Sequence, residues 1–111
     1  MFNFTPSKRI VESTEAAACS ADAERAETHK TEGNAAFKNK QYDDAIKAYS
    51  SAIALDGANH IFWSNRSAVY LAMGCPADAL LDAEVCRRLA PTWPKGCYRL
   101  GTARMACGLF E

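Results

Sequence analysis

Between Tyr42 and Leu55 the apolar positions fall at Tyr42, Ala45, Ile46, Tyr49, Ala52 and Ile53, the three-to-four-residue beat of one buried helical stripe. Asp56-Gly57-Ala58-Asn59 interrupts the beat. Upstream, the pattern predicts a helix over about Asp22–Asn39, with Ser20 or Asp22 as its N-cap and Ala35, Ala36 and Phe37 near its end. Downstream it predicts a pair, His60–Met73 and Pro76–Leu89, parted by Gly74 as a C-terminal stop and Pro76 as a first-turn start. Ala90-Pro91-Thr92 closes that pair. Thr92 is placed to cap a last helix over about Trp93–Cys107, which Gly108 ends. The fold class is therefore all-α.

Sliding the chain against itself by 34 positions superposes Asp44 on Asp78, Ala45 on Ala79, Ile46 on Leu80, Ala52 on Cys86 and Leu55 on Leu89. The same shift lays Asn65 on Arg99 and Gly74 on Gly108, and gathers Gly33, Ser67 and Gly101, all small, into one column. A 34-residue period is that of the tetratricopeptide repeat, a solenoid of antiparallel helix pairs in which small residues let paired helices approach closely. The domain layout expected is a flexible linker or frayed helix over 1–21 and a repeat domain over 22–111. Within it lie repeat 1 (26–59), repeat 2 (60–93) and the first helix of repeat 3 (94–111). Without a covering helix, Leu100, Met105, Leu109 and Phe110 should be partly bare, so the chain reads as a piece of a longer protein.

Composition narrows the function classes. An apolar share of 49% with 23% charged residues suits one globular domain, and 13 basic against 13 acidic residues gives no global field to draw nucleic acid or an anionic membrane. Any electrostatic function must be local. No apolar run resembles a secretory signal or approaches a membrane span, so a cytoplasmic protein is expected. Five cysteines (19, 75, 86, 97, 107) form no Cys-x-x-Cys pair and read as small packing thiols rather than zinc ligands or a disulfide framework. His29 and His60 lie on different helices without partners at ligand spacing, and no Ser-His-Asp order, phosphate loop or acid pair appears. Metal, cofactor and catalytic residues are accordingly not expected.

Local charge is informative in WPKGCYRLG, where Lys95 and Arg99 stand four apart on one helix face. Like charges at that spacing repel by roughly 0.2–0.5 kcal/mol. A bound anion would turn the repulsion into attraction. Asn34 and Asn65 are further signals, because asparagine inside a helix competes for its backbone.

On the stretches KTEGNAAF, WSNRSAVYLAMG and WPKGCYRLG, residues 26–111 resemble the tetratricopeptide repeat domains of co-chaperones such as the Hsp-organising protein. The stretch DAEVCRRLAPTWPKGCYR also resembles the C-terminal repeats of plant proteins with ankyrin repeats upstream. The resemblance implies a non-catalytic module that binds the acidic, Glu-Glu-Val-Asp-type C-termini of seventy- and ninety-kilodalton heat-shock chaperones through a two-carboxylate clamp. It carries the clamp to Lys30 and Asn34 in the first helix, Asn65 in the third, and Lys95 and Arg99 in the fifth. Lys38 and Arg66 are candidates to extend the basic groove, an outer-surface salt bridge being the other reading of each. Arg104 departs from the pattern, since Ala36 and Tyr70 precede it in its column. Two competing functions are a targeting arm of a larger enzyme, as in prolyl isomerases and a protein phosphatase, and a scaffold for an unrelated peptide. Tyr42, Tyr49, Phe62, Trp63, Tyr70 and Tyr98, at helical spacing, read as core rather than a binding cage.

Overall fold

The computed structural model describes the backbone of residues 4–108 and the side chains of residues 21–108. Its described elements are five α-helices: α1 (Phe4–Lys38), α2 (Tyr42–Leu55), α3 (His60–Ala72), α4 (Pro76–Leu89) and α5 (Pro94–Ala106). The repeat period holds in three dimensions. α2 and α4 each have 14 residues and begin 34 positions apart, and α3 and α5, each of 13, do the same. Successive helices pack in chain order, and α3 also touches α5.

α2, α3, α4 and α5 lie within a residue of the stretches expected from the periodicity. α1 does not: its helix starts at Phe4, well before Asp22. No glycine or proline lies between Ser7 and Glu32, so nothing in the chain breaks the helix there, and Pro6 sits in its first turn where the missing N–H costs little. Asp22 is no cap; it pairs with Arg25 one turn on, at 3.1 Å. A second correction falls at α5. Thr92 does not cap it; Trp93 holds the N-cap place without a side-chain bond, Pro94 follows at the first turn, and the Trp93 ring meets His60 edge-on at 4.6 Å. Asn59 supplies the side-chain cap at α3, accepting from the Ile61 N–H at 3.0 Å.

The two described hairpin turns share one geometry. In the first, the Gln41 N–H bonds to the Ala36 carbonyl and the Lys40 N–H to Phe37; in the second, Cys75 bonds to Tyr70 and Gly74 to Leu71. Both are helix stops that require a left-handed residue, Gly74 at φ 80° in one and Lys40 at φ 62° in the other. Lys40 pays the Cβ penalty that glycine avoids.

Three small clusters make the core. Ala26, Ala52 and Phe62 join α1, α2 and α3. Ala36, Ala45, Tyr49 and Val69 join the same helices one to three turns away. Ala79, Ala83, Leu100 and Ala103 join α4 to α5, with Tyr70 and Leu71 of α3 packed against them. Alanine at most contacts lets the helices close in, while Phe62 and Tyr49 fill the remaining space; full burial of Phe62 contributes about 1.5–3 kcal/mol. Ser67 ties α3 to α4 by donating its hydroxyl to the Ala79 carbonyl at 2.8 Å.

Leu100, expected to be partly bare, is buried at 4% exposure because α4 covers it with Ala79 and Ala83. Met105 does stand exposed. Tyr98, expected in the core with the other aromatics, is 68% exposed: Gly96, Leu100 and Ala103 form the packed face of α5, and Tyr98 lies off it. Arg104 is also exposed, in the last turn of α5, where a cation favours the helix C-terminus. Leu109 and Phe110 lie outside the described residues. Cys75, Cys86, Cys97 and Cys107 are free thiols, with Cys86 buried. No described helix is long and apolar enough to cross a membrane.

Candidate functional site

Each of the five residues assigned to the clamp sits on the first helix of a hairpin or on α5. Asn65 is the sixth residue of α3 and Arg99 the sixth of α5, so the two occupy matching places on helices that touch. Lys95 precedes Arg99 by one turn, and Lys30 precedes Asn34 by one turn on α1. Asn34 and Lys95 are exposed, while Lys30, Asn65 and Arg99 are half-buried.

The neighbours of these side chains differ. Lys30 Nζ lies 2.9 Å from Glu27 Oε1, an ion pair within α1. Asn34 Oδ1 accepts a hydrogen bond from the hydroxyl of Tyr49, which reaches across from α2. That reach depends on Gly33. A Cβ there would stand 2.5 Å from Tyr49 Cε1, so only glycine lets the ring lie against α1. On α5, Arg99 Nε is buried and meets no acceptor among the described residues; Ser64 Oγ on α3 shares that condition. Beneath Arg99 the buried Cys86 thiol is pushed above its ordinary range by desolvation, a shift that the Arg99 charge opposes. A buried guanidinium N–H without a partner is costly unless an anion completes it.

Arg66, a candidate to extend the groove, is already engaged by side chains of α2 and α4. Its Nε and Nη2 grip the two carboxylate oxygens of Asp82 at 2.8 and 2.9 Å, and its Nη1 donates to Ser50 Oγ at 2.9 Å. The guanidinium also stands 5.2 Å from the Trp63 ring centre and 5.8 Å from that of Tyr70. With Arg66 at 18% and Asp82 at 5% side-chain exposure, this is an interior clasp between α2, α3 and α4 rather than an outer-surface salt bridge. The Asp82 hydrogen bond holds the guanidinium above its ordinary range. Lys38 is exposed in the last turn of α1. His29 Nδ1 lies 3.1 Å from Glu32 Oε1.

Tyr49, Glu27 and Cys86 touch or flank the assigned residues and went unassigned in the sequence. Glu27 was legible, three positions before Lys30 on the same helix face. Tyr49 and Cys86 carried only the periodicity of core residues, and their roles depend on which helix they face.

The hairpins with a 34-residue period define a helical repeat protein with a polar face on its first helices. A family profile described as TPR repeat matches residues 33–74. The second TPR of Spaghetti (RPAP3), solved bound to the HSP90 peptide SRMEEVD, is 33% identical, with a TM-score of 0.83 over 87% of this chain and 84% of that one. The chain belongs to the tetratricopeptide repeat family, and to its co-chaperone type. "Protein STIP1 homolog" of Dictyostelium discoideum is 46% identical over 92 residues, 83% of this chain and 16% of that protein. "Serine/threonine-protein phosphatase 5" of Homo sapiens is 45% identical over 87 residues, 78% of this chain and 17% of that protein. The chain thus spans about one sixth of the length of either.

Proposed function

We propose that this chain is a non-catalytic recognition module that binds the acidic C-terminal tail of heat-shock chaperones of the seventy- and ninety-kilodalton classes, as a cytoplasmic co-chaperone or adaptor. The clamp is Lys30, Asn34, Asn65, Lys95 and Arg99. The observation that carries the reading is Arg99: a half-buried cation with an unpartnered Nε, one turn from a second cation and on a helix in contact with that of Asn65.

The chemistry fits a peptide ending in aspartate, which offers two carboxylates within a few ångströms. Arginine brings a planar fork, lysine a mobile point charge, and asparagine an amide that donates to the acid or the peptide backbone. Charge-assisted hydrogen bonds contribute about 1.5–3 kcal/mol each before ordering costs, so four or five of them sustain micromolar binding, about 8 kcal/mol. A grip of that strength releases readily. The solved relative bound to SRMEEVD supports the same ligand class.

Calorimetric titration with SRMEEVD as the free acid and as the C-terminal amide tests the reading. Tight binding of the acid and at least tenfold weaker binding of the amide is the expected result. Equal binding of the two forms would leave a general peptide scaffold as the better description. The likeness to a phosphatase favours a second reading, in which this module is the targeting arm of a larger enzyme. Hydrolytic activity in the parent protein, lost from these 111 residues alone, would favour that reading.

A further inference from the structure

Tyr49 is almost fully buried, at 1% exposure, yet its polar end reaches one of the proposed ligand-binding residues. Three residues make the arrangement. Gly33 leaves the space in which the Tyr49 ring lies against α1, the ring carries its hydroxyl to the next residue, Asn34, and the Asn34 carbonyl oxygen accepts. The reverse orientation of the amide, with its NH2 donating to the phenol oxygen, would leave the phenol proton to find another acceptor. Asn34 is the one side-chain partner of Tyr49 among the described residues, and an unmet buried donor carries its full desolvation penalty. Burial also pushes the Tyr49 phenol above its ordinary range, so it keeps its proton wherever the protein operates.

We propose that Tyr49 is a positioning and specificity residue for the acidic-tail site: by engaging the Asn34 carbonyl oxygen it holds that oxygen toward α2 and turns both amide N–H donors outward, so that Asn34 presents donors to the ligand. This rests on the function proposed above and adds to it a reason for selectivity. A carboxylate accepts only, and outward N–H donors satisfy it. A neutral C-terminal amide brings N–H groups of its own, which meet the donor end of Asn34 while its carbonyl oxygen faces Tyr49.

The test is Tyr49→Phe in the full chain, which keeps the ring against Gly33 and removes only the hydroxyl, titrated with SRMEEVD as free acid and as amide. Affinity for the acid should fall about three- to tenfold, affinity for the amide should stay as it was, and the melting temperature should move by a few degrees at most. In an Asn34→Ala background the same change should have no further effect on binding. A role confined to packing would lower both affinities together or neither, and an unchanged acid-to-amide ratio overturns the proposal. Should Tyr49→Phe not fold, NMR of the wild type decides: the Asn34 side-chain NH2 resonances must shift when the acid peptide is added, and resonances that stay still place the donors inward and overturn it. An Arg99→Ala variant run alongside separates the two ideas. If that variant loses the acid peptide while Tyr49→Phe keeps the wild-type ratio, the role of Tyr49 fails and the clamp stands; if wild type itself shows no preference for the acid, both fall.

Discussion

α1 and α5 carry the two cationic ends of the proposed clamp, and their surroundings treat them in opposite ways. On α1 both proposed clamp residues have a partner before any ligand arrives: Lys30 has Glu27, and the Asn34 carbonyl oxygen has Tyr49. On α5 the Arg99 Nε has none among the described residues, and Lys95 stands in solvent. In the proposed clamp, a ligand at Lys30 would compete with Glu27, whereas a ligand at Arg99 would add a partner. A motif spread over three helices need not distribute its energy evenly, and the proposed clamp should draw more of its affinity from α5 than from α1.

The largest effect should come from comparing the two cations directly. Arg99→Ala is expected to lower affinity for an acidic tail by about 2–4 kcal/mol, and Lys30→Ala by about 1 kcal/mol, since Glu27 already offsets part of that charge. Calorimetry on both variants measures it, and a Lys30 loss equal to that of Arg99 would remove the asymmetry.

Stability offers a second contrast, at one column of the repeat. Gly33→Ala should destabilise the fold by about 1–3 kcal/mol, because the new methyl meets the Tyr49 ring. Gly101→Ala should instead stabilise it by about 0.8–1 kcal/mol, because a Cβ there would meet nothing within 4 Å beyond its chain neighbours and its own helix backbone, and alanine is the better helix former. Urea midpoints of opposite sign are the outcome to look for; two losses would mean that Gly101 also faces a packed neighbour.

The smallest change sharpens the α1 end. Glu27→Gln frees Lys30 from an exposed ion pair worth about 0.2–0.5 kcal/mol, so acid-peptide affinity should rise by that amount at low salt. The gain should fade as salt is added, and a loss of affinity would show that Glu27 holds Lys30 in its binding position.

Much of the architecture could be read from the chain, because a helical hairpin repeat is encoded locally. The beat of Tyr42, Ala45, Ile46, Tyr49 and Ala52, the stop at Gly74 and the start at Pro76 each act over one or two turns, and the shift of 34 then sets the rest. Where the reading failed, the cause was again local. Asp22 looks like a cap but cannot act as one when the residues before it are helical, and Thr92 loses its place to the Trp93-Pro94 pair.

The chain by itself determined the period and four of the five helices to within a residue, while the five proposed clamp residues were assigned to their helices through the family resemblance. Tertiary structure alone decided what each of them meets. Arg66 and Arg99 are both arginines inside helical stretches, and periodicity could not tell that Asp82 and Ser50 engage the first while the Nε–H of the second meets no acceptor among the described residues. Nor could it tell that a tyrosine 15 positions away would donate its hydroxyl to Asn34. Helix formation is set by neighbours along the chain, but the partner of a side chain is set by which helix packs against it, and that becomes defined only when the helices meet.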